Sequence, residues 1–545
     1  MSRQRRCRSA AFRPCFLLAL AIALAPCHAA LASVSVTQDW SATVSQWGSP
    51  SLYGAMVAVD DAGFIYVTGS YPFATIVTAK YDQLGHQFWQ REFDNAGTRE
   101  QGSWVAVHPA GGVVVTGYTV AGDGSDSSTT GYVTIRYDAD GTVLWSDVVP
   151  ATRGRAYRVE VDAQGNAYVI ARAWAGTDDM MTIKYTPSGQ RAWTRALGYD
   201  NLSADRPSAL AIRPNGNVLV TGGAVGWFVT GEYDPAGTLL WSSRVSASTS
   251  GADIALGAGG EAYVVGGTYT QQTSNQFYVV KYGPSGNIAW SKMYPGYSAR
   301  RVAVDSAGNV VVTGYTGIYT NWLTHKLDPA GAQLWSKVYD RHNYNDEFPY
   351  FVTIGPENEI YITGQGGPGP TSGELSYLKT VTVRYSSAGN EDWVTYTDAA
   401  VRGLGVRRGP TGTIAVVGES PFVVFHYTQS ATGNPPFPGG VGGLRVVRSA
   451  GGTGLDLRWD PACGTASDFA VYEGTMGAWQ SHRPVACTTG GVLEATIAPE
   501  AGGRYFLVSP LHGTTEGNCG SDSTGAPRPA PAVSCQSFVD PSNCP

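Results

Sequence analysis

Seven stretches decide the fold: YDQLGHQFW (81–89), YDADGTVLW (137–145), YTPSGQRAW (185–193), YDPAGTLLW (233–241), YGPSGNIAW (282–290), LDPAGAQLW (327–335) and YSSAGNEDW (385–393). Each reads as the end of one strand, a turn built on glycine, and a second strand carrying tryptophan four residues later. Seven tryptophans in one register do not arise by chance. Between them runs a second motif, two apolar strands joined by a tight turn. Its copies are VAVDDAGFIYVTG (57–69), VAVHPAGGVVVTG (105–117), VEVDAQGNAYVIA (159–171), LAIRPNGNVLVTG (210–222), IALGAGGEAYVVG (254–266), VAVDSAGNVVVTG (302–314), VTIGPENEIYITG (352–364) and LGVRRGPTGTIAVVG (404–418). Its turns end on Gly63, Gly111, Gly165, Gly216, Gly260, Gly308, Asn358 and Gly412, the residue types that tolerate positive φ. Four strands (A to D) in a period near fifty residues predict a β-propeller.

The eighth copy of the tryptophan motif is incomplete. FVVFHYTQSATG (422–433) supplies a strand and a turn but no tryptophan. The absent strand stands at the other end of the repeats, as VSVTQDW (34–40). Trp40 precedes Val57 by 17 residues, within the 11 to 17 that separate each motif tryptophan from the next A strand. The prediction is an all-β chain: an eight-bladed β-propeller over 33–430, closed by an N-terminal strand that removes the open sheet edge.

Composition agrees. Only 15% of the 545 residues are charged and 69 are glycine, which suits short strands and tight turns. Hydrophobic residues make up 43%, enough for a packed core. Residues 1–32 read as a signal peptide: Arg3, Arg5, Arg6, Arg8 and Arg13, then the apolar run 15–25, then Ala30-Leu31-Ala32 before Ser33. The apolar run is too short to span a membrane, and no transmembrane segment is expected after cleavage. A lipoprotein signal at LAPC (24–27) is the alternative, with Pro26 fitting poorly before Cys27. Taking five arginines and no acid from 37 basic and 43 acidic residues leaves a net charge of −11. That charge speaks against nucleic acid and anionic lipid as partners. The expected location is secreted, cell-surface or periplasmic.

All five cysteines beyond the signal lie in the last hundred residues: Cys463, Cys487, Cys519, Cys535 and Cys544. Disulfides are expected there, first between Cys463 and Cys487, with one thiol left over. SATGNPPFPGGVGG (430–443) reads as a Pro/Gly linker covering 431–443. Over 444–545, strands at 444–449, 455–461, 469–474, 492–499 and 505–511 predict a small β-sandwich.

At its tryptophans the chain resembles bacterial secreted propeller-repeat proteins and the quinoprotein-like eight-bladed propeller superfamily. The repeat D-x-x-G-x-x-x-W is one residue shorter before the glycine than that family's docking motif. The resemblance covers about 34–430. It implies that Trp89, Trp145, Trp193, Trp241, Trp290, Trp335 and Trp393 pack between neighbouring blades, and by register Trp40. It implies scaffold only, since quinone-binding members carry an adjacent Cys-Cys pair and this propeller has no cysteine. LDLRWDP (455–461), FAVYEG (469–474) and YFLVSPL (505–511) resemble a fibronectin type III module, which implies Trp459, Tyr472 and Tyr505 as core aromatics.

The A–B and C–D turns are short and uniform, whereas the B–C and D–A connections vary, and strand reversal puts all the variable ones on one face. Loops held by a rigid scaffold carry binding; loops also vary where nothing constrains them. The densest polar and aromatic cluster there is RHNYNDEFPY (341–350), so His342, Tyr344, Asp346, Glu347 and Tyr350 are the candidate binding residues. His86 and His108 stand in or beside turns, where solvent exposure is expected, and the histidines lack metal-ligand spacing. Asp123 and Asp126 offer oxygens to calcium, outside the EF-hand pattern. The basic residue before the motif tyrosine (Lys80, Arg136, Lys184, Lys281, Lys326, Arg384) is expected at a solvated strand position. No catalytic residue, cofactor or metal is assigned. The expected function is non-catalytic binding of a protein or glycan. The competing class is a propeller enzyme, a quinone-dependent oxidoreductase or a glycan-active lyase or hydrolase, with its site at the channel mouth.

Overall fold

The computed structural model describes residues 33–44, 56–70, 75–95, 98–121, 129–151, 153–174, 178–198, 205–224, 227–246, 251–270, 273–317, 321–340, 347–366, 379–397, 402–419, 422–432, 445–448, 454–458, 468–475, 478–489, 492, 494–498, 504–512, 515–516 and 538–539. They divide into two compact units, Val34–Thr432 and a second that holds Gly433–Pro545.

The first unit is an eight-bladed β-propeller. Blade 1 is Met56–Val59, Ile65–Ser70, Ile76–Tyr81 and Gln87–Phe93, hydrogen-bonded in chain order. Six further four-stranded blades follow, with A strands at Arg99–Val107, Arg155–Val161, Arg206–Ile212, Gly251–Leu256, Ser298–Val304 and Phe348–Ile354. Blades 5 and 6 are joined by one bridging pair, Gly267 with Ser298. Blade 8 has only three strands of its own, Arg402–Arg408, Ile414–Glu419 and Val423–Thr432, and Ser33–Thr43 completes it beside the last. The A strands lie against one another in sequence, the eighth against the first, around a central channel.

Apolar alternation explains the layering. The B and C strands are buried along most of their length, and throughout at Ile65–Ser70 and Ile76–Tyr81. Side chains of each blade there pack into the next, as Val67, Val77, Val417 and Val424 do across the closure. The A–B turns have positive φ where expected, at seven glycines and at Asn358 with φ 62°.

The tryptophans dock blade to blade. The indole N–H of Trp89 donates to Ala139 O at 3.0 Å, in the C–D turn of the next blade. Trp40, Trp145, Trp193, Trp290 and Trp335 do the same to Gln83, Pro187, Pro235, Pro329 and Ser387. The rings pack against the turn glycines: a Cβ on Gly141 would stand 2.6 Å from Trp89. The closing strand uses this contact and adds another. Trp40 stacks on His426 at 5.3 Å between centroids, and His426 Nδ1 lies 2.8 Å from Asp39 Oδ2.

Two expectations are corrected here. The basic C-strand position is not solvated: Lys80, Arg136, Lys184, Lys326 and Arg384 are all buried. Lys80, Lys184, Lys281 and Lys326 donate to the same turn carbonyls as the tryptophans. Alternation fails as a guide because the next blade covers the second face of the strand. His86 is exposed, but His108 is buried, its Nε2 3.2 Å from Gly165 O in the next blade. Burial holds its pKa below the ordinary histidine value.

The second unit is a β-sandwich. One sheet orders Arg445–Arg448, Leu455–Arg458 and Glu494–Ile497. The other orders Ala478–Ala486, Asp468–Thr475, Arg504–His512, Thr515–Glu516 and Phe538–Val539. Leu457, Phe469, Val471, Ile497 and Val508 form its core, and Tyr472 is fully buried. The strand Ala478–Ala486 was not expected; its mixed AWQSHRPVA pattern has no clean alternation. Trp459, the side chain of Tyr505 and Cys463, Cys519, Cys535 and Cys544 lie outside the described residues. Cys487 follows Ala478–Ala486, and its expected pairing with Cys463 lies outside them too.

Candidate functional site: the channel and its mouth

Repeats diverge where they are free to, and here that is on the A strands. Blades 2 to 8 share one backbone device, a β-bulge midway along strand A, at Gly102/Trp104, Ala156/Arg158, Pro207/Ala209, Gly251/Asp253, Ala299/Arg301, Pro349/Phe351 and Gly403/Gly405. The bulge brings an A-strand carbonyl onto the glycine that ends the V-T-G run. A Cβ on Gly222 would meet Arg206 O at 2.1 Å. That glycine is the sequence's signal for the bulge. Bulges re-aim side chains next to working sites.

Below the bulge two rings of side chains line the channel. The first ring, by register, is Met56, Trp104, Arg158, Ala209, Asp253, Arg301, Phe351 and Gly405. It closes on itself. Trp104 of blade 2 meets Phe351 of blade 7 at 6.2 Å between centroids. Arg158 of blade 3 reaches Asp253 of blade 5 at 3.1 Å, pairs with Glu160 at 2.9 Å, and stacks over Trp104 at 4.5 Å. Asp253 also accepts the Val302 N–H at 3.1 Å. Burial pushes the Arg158 pKa down, but Glu160 and Asp253 outweigh it and the net shift is upward.

Arg301 and Arg407 face the other way in charge terms. Both lie near the Phe351 ring, Arg407 at 4.3 Å and Arg301 at 6.0 Å. Among the described residues neither has a carboxylate ion pair; their side-chain donors go to Arg300 O and Val406 O. Burial lowers both pKa values. Arg407 falls to about 10, the attraction of Glu160 notwithstanding and with Arg158 and Arg301 repelling it.

Above the bulge the mouth opens on the side of the variable connections. Arg300, the bulged residue of blade 6, stands over Tyr315, Phe348 and Tyr350 at 5.1, 5.2 and 5.4 Å, and Tyr297 stacks on Tyr315. Across the ring, at blades 2 and 3, Arg155 stands over Tyr118 at 4.3 Å and Tyr157 at 5.5 Å. Of the expected binding residues, Tyr350 belongs to this mouth, as the bulged residue of blade 7, with its hydroxyl donating toward Gln365. Glu347 is 2% exposed, so it is not a surface group. His342, Tyr344 and Asp346 lie outside the described residues, as do Asp123 and Asp126. The sequence pointed to one connection; the mouth draws its residues from strand termini of several blades. Arginine and tyrosine side chains can offer a ligand stacking, cation–π attraction and hydrogen bonds. Among the described residues no group of three or more His, Cys, Asp or Glu side chains is placed to hold a metal.

Sheet order, bulge register and ring closure define the class: an eight-bladed β-propeller with a β-sandwich unit. No family model matches the chain, and no curated protein matches it. Among solved structures it is similar to Sqt1 from Chaetomium thermophilum bound to the N-terminus of a ribosomal protein, at 13% identity over 69% of this chain and 96% of that one, TM-score 0.48. It is similar to the Dos1 propeller at 8% identity, over 72% and 95%, TM-score 0.47. It is similar to a catalytically inactive virginiamycin B lyase from Staphylococcus aureus with quinupristin, at 11% identity, over 72% and 99%, TM-score 0.40. The fold assignment rests on the chain's own sheet order, to which likeness at this level adds nothing.

Proposed function

We propose that this chain is an exported, non-catalytic binding protein that engages a protein or glycan through the variable-loop face of the propeller. The observation that carries the reading is the pair of arginine–tyrosine clusters on that face, Arg300 with Tyr315, Phe348 and Tyr350 at blades 6 and 7, and Arg155 with Tyr157 over the buried Tyr118 at blades 2 and 3. Rigid aromatics with a charged donor give contact area at low entropic cost, which is the composition of binding hot spots. Export is supported by the charge and apolar pattern of residues 1–32; it requires a mature N-terminus at Ser33, which N-terminal sequencing of the secreted chain reads directly. The sandwich strand order, first-second-fifth and fourth-third-sixth-seventh-eighth, supports a fibronectin type III-like spacer or adhesive unit.

The test is a glycan array plus capture from the culture medium, with three forms of the chain: wild type, Arg300→Ala/Tyr350→Ala, and Arg155→Ala/Tyr157→Ala. The expected result is one ligand class bound by wild type and weakened tenfold or more, about 1.4 kcal/mol, in both variants. Equal capture by all three forms refutes the assignment to this face.

A further inference from the structure

Two residues beyond the first channel ring lies a second: Ala58, Ala106, Glu160, Ala211, Ala255, Ala303, Thr353 and Arg407. Five of these eight are alanine. A channel that only needed filling would carry large apolar side chains there, as the first ring does with Trp104 and Phe351. Exposure changes across the same step. Trp104 and Phe351 are 7% exposed and Asp253 5%, whereas the Glu160 side chain is 32% exposed. The first ring is therefore a plug, and the second is a small-walled recess on the side of the short A–B turns, away from the mouth.

The plug borders that recess with unbalanced charge. Three guanidinium groups, Arg158, Arg301 and Arg407, stand against two carboxylates, Glu160 and Asp253, and both carboxylates are bonded to Arg158. Arg301 and Arg407 share one aromatic ring, Phe351, and are close enough to repel each other. The Nε of Arg301 is buried with no hydrogen-bond partner among the described residues. Holding like charges together in a poorly hydrated place is costly, and well-packed apolar residues would serve stability better. A guanidinium fork matches an oxyanion through two parallel N–H bonds.

We propose that the alanine-walled recess binds one small phosphate-class oxyanion between Arg301 and Arg407. It enters from the short-turn side, so this site is independent of any ligand at the mouth.

Equilibrium dialysis of the full mature chain against labelled inorganic phosphate at pH 7 and low salt tests it. The expected result is saturable uptake at one site per chain. Arg407→Gln weakens that uptake by at least about tenfold, the scale of one lost charge-assisted hydrogen bond. Arg402→Gln, whose guanidinium pairs with Glu419 at the opposite end of the strand, leaves it unchanged. As a second reading, phosphate raises the unfolding midpoint of wild type above chloride at equal ionic strength, and the increment vanishes in Arg407→Gln. No saturable uptake by wild type overturns the proposal without recourse to any variant. Uptake that survives Arg407→Gln, or falls equally in Arg402→Gln, overturns it as well.

Discussion

The outer and inner strands of the same blades follow opposite rules. At the rim one contact is repeated around the ring: an indole on a turn glycine, its N–H on a carbonyl of the next blade, with a lysine on the same carbonyl in blades 1, 3, 5 and 6. On the A strands the backbone is equally regular, bulge for bulge, yet equivalent positions hold tryptophan, arginine, alanine, aspartate, phenylalanine and glycine. Repetition marks what each blade must do for its neighbour. Divergence over an unchanged backbone marks what the ring does for something else.

Blade 4 departs from the rim rule in a defined way. There the C-strand cation is replaced by Glu232, and the turn acid seen at Asp60, Asp162 and Asp305 is replaced by Arg213. The pair survives with its signs exchanged, Arg213 to Glu232 at 3.0 Å. The Trp241 indole then donates to Glu232 at 2.7 Å instead of to the next blade's turn. In this blade the charge pair is kept while the indole's bond to the next blade is given up.

The contrast can be broken in graded ways. Removing 33–44 takes away Trp40 and Asp39 and opens the ring, and the expected outcome is loss of the cooperative unfolding transition in denaturant. A propeller that still unfolds in one step without this strand would mean the rim contacts do not close it. Trp193→Ala removes an indole that is 7% exposed, and should cost about 3–5 kcal/mol in urea unfolding. Below about 1 kcal/mol, the rim would be no more constrained than a surface. Lys326→Met leaves Asp305 buried beside no cation, the two having stood 2.8 Å apart with side chains 3% and 1% exposed. A loss of about 3 kcal/mol is expected, as for other broken buried pairs.

The smallest effect belongs to the inner strands. Burial raises the Glu100 pKa, with the Thr98 hydrogen bond opposing it. A carboxyl whose folded pKa is raised adds stability only while protonated, below its unfolded pKa near 4.3, and that contribution is lost as pH rises through the folded value. Glu100→Gln should therefore raise the unfolding midpoint at pH 7 and leave it nearly unchanged at pH 4. A variant less stable at pH 7 would show that Glu100 is held there by attraction.

Much of the rim was legible. The turn glycines, the register of the tryptophans and the displaced strand at 34–40 all follow from local chemistry repeated in the chain. The site was less so. Tyr350 was found because it belongs to a dense cluster, whereas Arg300, Arg155, Arg301 and Arg407 looked like ordinary charged residues on short strands. Lys80 and His108 were misread as exposed because alternation describes a sheet with one wet face, and a propeller blade covers both.

By itself, the amino-acid order determined the blade: its four strands, its turns, the number of its copies and the need to borrow one strand to finish the last. These depend on neighbours within fifty residues, where turn geometry and side-chain period act directly. Only the closed ring decided which side chains meet. Trp104 and Phe351, or Arg158 and Asp253, are far apart in the chain and become neighbours because the closed ring of A strands, seven of them bulged, aims them at one axis.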